Sequence, residues 1–106
     1  TQTLMNLEQA PTALFAMTGN IAIGAFRALR EMGLKVPQDV SLLNFDNYPW
    51  TSLVDPPIDV IEQPVDEMAR AAVKLVFEGI KGDKAVTRQR FGGKLIKRGS
   101  CAAPAA

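Results

Sequence analysis

Histidine is absent from the 106 residues of this chain. Its absence removes the commonest acid–base group, rules out His-containing zinc sites and excludes a Ser-His-Asp triad within the chain. A single cysteine, Cys101, allows no internal disulfide and fits a reducing compartment. Charge of one sign is missing too: 12 Lys and Arg against 11 Asp and Glu leave a net +1. No global field therefore draws the chain to nucleic acid or membrane. The longest apolar runs fall far short of the ~20 residues that span a bilayer. There is no Gly-rich phosphate loop, nucleophile elbow or metal-ligand spacing, so neither an enzyme nor a metal or cofactor is expected. What remains is an ordinary globular mixture, 47% apolar and 22% charged, of a length that suits one domain. Thr1 opens the chain without an initiator Met, and no basic start leads into an apolar core, so the sequence reads as the cut end of something longer.

Leu4 to Leu7 suits the last turn of a helix, which Pro11 stops. Ala13 to Met17 is a short apolar run, expected as a strand buried on both faces. Thr18-Gly19-Asn20 is a turn, with Asn20 a candidate N-cap. Ala22, Ala25, Phe26, Leu29 and Met32 then recur at spacings of three and four and predict a helix. Gly33 stands where a left-handed residue ends such a helix, with Leu34 closing back on Leu29. Gly24, costly inside a helix, is expected to mark a close helix contact.

Val40 to Phe45 predicts a second buried strand, ended by the turn Asp46 to Pro49. Pro56-Pro57 forces an extended stretch, and Ile58 to Glu62 reads as a third strand despite Asp59. Pro64 suits the first position of a helix whose apolar stripe is Val65, Met68, Ala69, Ala72 and Val76. Such a stripe calls for a partner: the residues present, another copy, or the rest of a longer protein. Val86 to Phe91 alternates weakly as a strand, and Leu95-Ile96 suggests a last short one. Helices alternating with buried strands argue for an α/β fold with a largely parallel sheet.

In open α/β sheets, ligands bind beyond the carboxyl ends of the strands. The first strand is followed by Thr18, Gly19 and Asn20, the second by Asp46 and Asn47, the third by Gln63. A carboxylate accepts from two adjacent hydroxyls, and an amide both donates and accepts. That set suits a polyhydroxylated small molecule such as a sugar. Each residue has a plainer reading as well. Thr18, Asn20 and Gln63 are ordinary cap or turn residues, Asp46 can close an Asx turn, and Trp50 can pack or form an interface rather than stack on ligand. Residues 81 to 98 hold seven basic side chains, from Lys81 to Arg98, against Asp83 alone. No recognition-helix pattern accompanies them, so they read as a solvated ribbon rather than a nucleic-acid site.

Pro11 to Ala16, then Ala22 through Ser41 with its Arg-Glu-Met-Gly-Leu-Lys-Val-Pro run, then Phe45-Asp46-Asn47, Pro56-Pro57 and Glu62-Gln63-Pro64 follow in order. Together they resemble the effector-binding core of LacI/GalR-family transcriptional regulators, from about Pro11 to Ser100. The resemblance implies a parallel-sheet, three-layer fragment of a type I periplasmic-binding-protein-like domain, with ligand in a cleft between two lobes. It covers only the C-terminal third of such a regulator, with no counterpart of the DNA-binding helix-turn-helix. It assigns residues 1–62 and 93–106 to the C-terminal lobe and 63–92 to the N-terminal lobe, with Gln63, Gly92 and Gly93 as the hinge. Its ligand residues fall on Thr18, Asp46 and Gln63, and Asn20 joins them from the strand-end argument. Where the family usually carries Asn-Asp or Asn-Asn this chain has Thr18-Gly19, and where Gly is usual it has Asn44.

The resemblance also implies a cytoplasmic homodimer that senses a sugar-like effector and acts on operator DNA through its absent N-terminal domain. Ile23, Trp50, Leu53 and Val54 would form the dimer interface: the last three put apolar bulk in a turn-rich connection, poorly explained on a monomer's surface, and Ile23 lies off the main apolar stripe of its helix. A periplasmic sugar-binding transport component of the same fold is the alternative, and a hydrolase fragment a more distant one.

Overall fold

The computed structural model describes residues 1–83 and 87–105. Elements run in the order α1 (Gln2–Met5), β1 (Ala13–Ala16), α2 (Gly19–Glu31), β2 (Ser41–Phe45), a 3-10 turn (Pro49–Ser52), β3 (Asp59–Glu62), α3 (Val65–Ile80) and β4 (Lys94–Ile96). The four strands form one sheet in the order β1-β2-β3-β4. β1 and β3 both run parallel to β2, with Ala16 opposite Asn44, and Phe45 opposite Ile61. Parallel neighbours need a crossover, and α2 supplies the first one.

The chain divides into two compact units: Thr1–Glu62 with Leu95–Ala106, and Gln63–Lys94. In the first, α2 lays Ala22, Ala25, Phe26 and Leu29 against Leu42 and Val60 of the sheet. Leu29 and Leu42 are fully buried, each contributing about 1.5–3 kcal/mol. The helix ends as its sequence demands. Gly33 takes φ 72° and the Leu34 amide donates to the Leu29 carbonyl at 2.9 Å.

Several local expectations need correction. Thr18, not Asn20, is the N-cap of α2, accepting from the Ile21 amide at 3.3 Å, because the helix begins at Gly19, two residues before an Asn20 cap would start it. Gly24 has open space where a Cβ would stand, so no helix presses on it within the described residues. Phe15 is 49% exposed, so among the described residues β1 is covered on the α2 face alone. Residues 87–91 form no strand, and Val86 lies outside the described residues. Pro64 caps α3 rather than opening it, with Asp66 and Glu67 in the first turn as the helix dipole favours. The stripe of α3 is not covered by the residues described: Val65 and Val76 are 64% and 62% exposed, and the helix has no buried residue.

Candidate functional site

The carboxyl ends of β1, β2 and β3 lie at one edge of the sheet, because the strands are parallel. Thr18 and Asn20 follow β1 there, exposed at the start of α2. As a cap, Thr18 uses one lone pair of its hydroxyl and keeps its proton to donate. Asp46 follows β2, half-buried, with its amide donating to the Ile61 carbonyl at 2.9 Å. Its φ of 87° lies in the left-handed region, where few non-glycine residues sit. Gln63 follows β3 directly as the first residue of the second unit, and its carbonyl accepts from the Val65 amide.

Gly19 is needed where it stands. A Cβ there would come within 2.6 Å of the Tyr48 ring, so the ring packs closely on the first residue of α2. Tyr48 itself stays 42% exposed at this edge. Gly19→Ala is expected to destabilise the protein by about 1–3 kcal/mol through overpacking. Most of that loss should vanish in a Tyr48→Ala background, read by denaturant melts. An equal loss in both backgrounds would place the strain elsewhere.

A polar brace ties the start of β3 to the C-terminal segment. Asp59 is buried at the start of β3, and its Oδ1 accepts from the backbone amides of Arg98, Gly99 and Ser100 at 2.9, 2.8 and 3.0 Å. Burial pushes its carboxyl up, but the amides of Arg98, Ser100 and Gly99 outweigh burial and hold it below the usual value of 3.8. The Cys101 thiol next door is pushed up by burial and by the Asp59 charge. Ser100 accepts from the Asp59 amide at 2.7 Å and donates to the Leu42 carbonyl.

The Arg98 guanidinium reaches Thr51 Oγ1 at 2.7 Å, the Ile58 carbonyl at 3.1 Å and Asn47 Oδ1 at 2.6 Å. Asn47, the residue after Asp46, donates in turn to Glu62 Oε1 at 2.9 Å. Arg98 therefore belongs to a half-buried brace and not to the solvated ribbon its neighbours suggest. Sequence spacing gives no hint of this, since Arg98 lies 51 positions from Asn47 and 39 from Asp59.

The interface candidates divide by exposure. Leu53 is 81% and Ile23 39% exposed, whereas Trp50 and Val54 are partly buried against the core. An open groove of about 970 Å³ runs past Phe26, Arg30, Lys35, Val36, Leu53 and Val54. None of Thr18, Asn20, Asp46 or Gln63 lines it. Among the described residues no group of His, Cys, Asp and Glu is placed to hold a metal ion, and no helix is long and apolar enough to cross a membrane.

Residues 1–101 match the periplasmic binding protein-like domain family. The chain belongs to that family. The HTH-type transcriptional repressor CytR of Escherichia coli K12 is 39% identical over 100 residues, 93% of this chain and 29% of the repressor. The HTH-type transcriptional regulator MalR of Streptomyces coelicolor is 40% identical over 92 residues, 86% of this chain and 27% of the regulator. Among solved structures, a LacI family transcriptional regulator from Enterococcus faecalis V583 with bound ribose superimposes with a TM-score of 0.83 at 33% identity. That match covers 95% of this chain and 38% of the other. The chain thus spans less than a third of the length of the two curated relatives.

In this periplasmic binding protein-like chain, the boundary between the units falls after Glu62 and again after Lys94. Gly92 and Gly93 lie in the irregular stretch before β4, just inside the second unit. Gly92 has open space where a Cβ would stand.

Proposed function

We propose that this chain is the effector-sensing part of a LacI/GalR-type transcriptional regulator, and that its effector is a sugar or sugar derivative. The match of residues 1–101 to the family, shared with repressors along nearly the whole chain, carries the reading. In it the two units belong to two lobes, with Gln63, Gly92 and Gly93 at the joint. The effector is held between the lobes. Asp46 accepts from adjacent hydroxyls, Gln63 and Asn20 each donate and accept, and Thr18 donates the proton its cap role leaves free. The protein binds and releases its effector without turning it over.

Bound effector favours one lobe angle, and that angle sets the spacing of paired DNA-binding heads elsewhere in the full-length protein. The protein works in the cytoplasm, where operator DNA is its second partner. The exposed stripe of α3 is covered by further parts of the same lobe, because an apolar helix face does not stay in water.

A thermal-shift screen of the full-length protein against pentoses, hexoses and nucleosides tests this reading. A sugar at 100 times its dissociation constant should stabilise the fold by about 2.7 kcal/mol. Stabilisation by none of them would overturn it.

The regulator pairs through the first unit of each copy, across Ile23, Trp50, Leu53 and Val54, in a two-fold contact. Leu53 is the cleanest probe, since its side chain is the most exposed of the four. Leu53→Asp should weaken the dimer at least tenfold in sedimentation, as a buried unpaired charge demands, with the folded monomer retained. An unshifted dimer would remove this segment from the interface.

A further inference from the structure

Asn44 is a polar side chain in the interior of the sheet. It is fully buried on β2, between Ala16 of β1 and Val60 of β3. Its amide nitrogen donates to the Asp46 carbonyl at 2.8 Å. Its Oδ1 is buried and has no hydrogen-bond partner. The two ends cannot be exchanged, because a carbonyl facing Asp46 O would set two acceptors against each other. A buried acceptor without a partner is costly, so the side chain stands there against its own desolvation penalty. The contact it makes is with the one non-glycine residue in the described chain at positive φ. Residues held in that region persist only where their surroundings over-determine them.

We propose that Asn44 is a positioning residue for Asp46. Its amide locks the Asp46 carbonyl, and with the Ile61 carbonyl on the Asp46 amide it clamps both peptide groups that flank the left-handed residue. The backbone from which the Asp46 carboxylate is presented at the carboxyl edge is thereby set before any ligand arrives. A pre-set carboxylate spends no binding energy on ordering itself. The link to effector affinity rests on the reading of Asp46 as a ligand residue; the clamp does not.

A double-mutant cycle tests the clamp without any ligand. Asn44→Ala alone is a poor test, since it removes the costly orphan oxygen together with the useful bond. Asp46→Gly supplies a residue that adopts positive φ freely and carries no strain there. In the full-length protein, Asn44→Ala should cost about five- to tenfold less in the unfolding equilibrium constant with Asp46 present than with Gly at that position, because both residues carry the carbonyl that accepts the bond and only the unclamped Asp has positive-φ strain to release. Equal responses in the two backgrounds would overturn the proposal.

D-ribose is the probe for the second arm, by calorimetry. Its affinity should fall at least fivefold in Asn44→Ala and be largely restored by Asn44→Gln or Asn44→Ser, if either recovers the coupling to Asp46. A smaller loss with Asp46 than with Gly, together with unchanged ribose affinity, would keep the clamp and overturn its link to the ligand. A wild-type protein that ignores ribose would exclude ribose as the effector, while the cycle still decides Asn44.

Discussion

Asp59→Ala should lower the unfolding free energy by about 3–5 kcal/mol. The side chain satisfies the backbone amides of Arg98, Gly99 and Ser100 at once, and the Ser100 hydroxyl reaches back to the Asp59 amide. Truncation leaves three donors without an acceptor where water reaches only part of them, each at about 1–3 kcal/mol. Amide exchange at Gly99 and Ser100 should quicken with the loss of stability. Asp59→Asn keeps an acceptor but not its charge, and should cost about half as much.

The pH dependence follows from the lowered carboxyl. The unfolded chain's Asp titrates near its ordinary value of about 3.9, and the folded one below that. The stabilising contribution is therefore full above about pH 4 and drains away as pH falls through the folded value. Asp59→Asn should flatten that part of the acid limb. A denaturation midpoint that Asp59→Ala leaves unchanged at pH 7 would contradict this account of the brace.

Asp46→Ala should weaken effector binding by about 1.5–3 kcal/mol, roughly 10- to 150-fold, as expected for hydrogen bonds to a charged acceptor. Stability should change little or rise slightly with Asp46→Gly, because glycine relieves the positive φ. The pair separates the two roles of the position: both variants lose the carboxylate, and only one keeps the strain. Calorimetry with the sugar found by the thermal-shift screen is the check. Retained affinity in both variants would remove Asp46 from the site.

Much of the first unit was legible because its elements are local. The spacing of Ala22, Ala25, Phe26 and Leu29 encodes the buried face of α2, and Gly33 with Leu34 encodes its end. The strand-end residues were reached by topology alone, since a parallel sheet collects its carboxyl ends on one side. The rest depends on contacts that no local pattern announces. Asp59 looked out of place in an apolar strand because its partners lie some 40 positions further on, at residues 98–100. Arg98 was hidden among six other basic residues that share its charge. The strand expected from Val86 to Phe91 rests on a weak alternation, which sheet pairing alone can realise. At Thr18 and Asn20 the two candidates for one cap stood two residues apart, and the helix start decided between them.

In the proposed regulator, a small molecule bound at the carboxyl edge of the sheet changes the DNA affinity of the full-length protein. Fluorescence anisotropy of the full-length protein on DNA from its own promoter, with and without a saturating concentration of the sugar that stabilises it, tests this most directly. The account predicts a change of about 5- to 150-fold in DNA affinity, the usual span of such coupling. It predicts that Asp46→Ala, at the same sugar concentration, loses most of that change while keeping wild-type affinity for DNA in the absence of sugar. A sugar that binds tightly and leaves the affinity for DNA unchanged would contradict it.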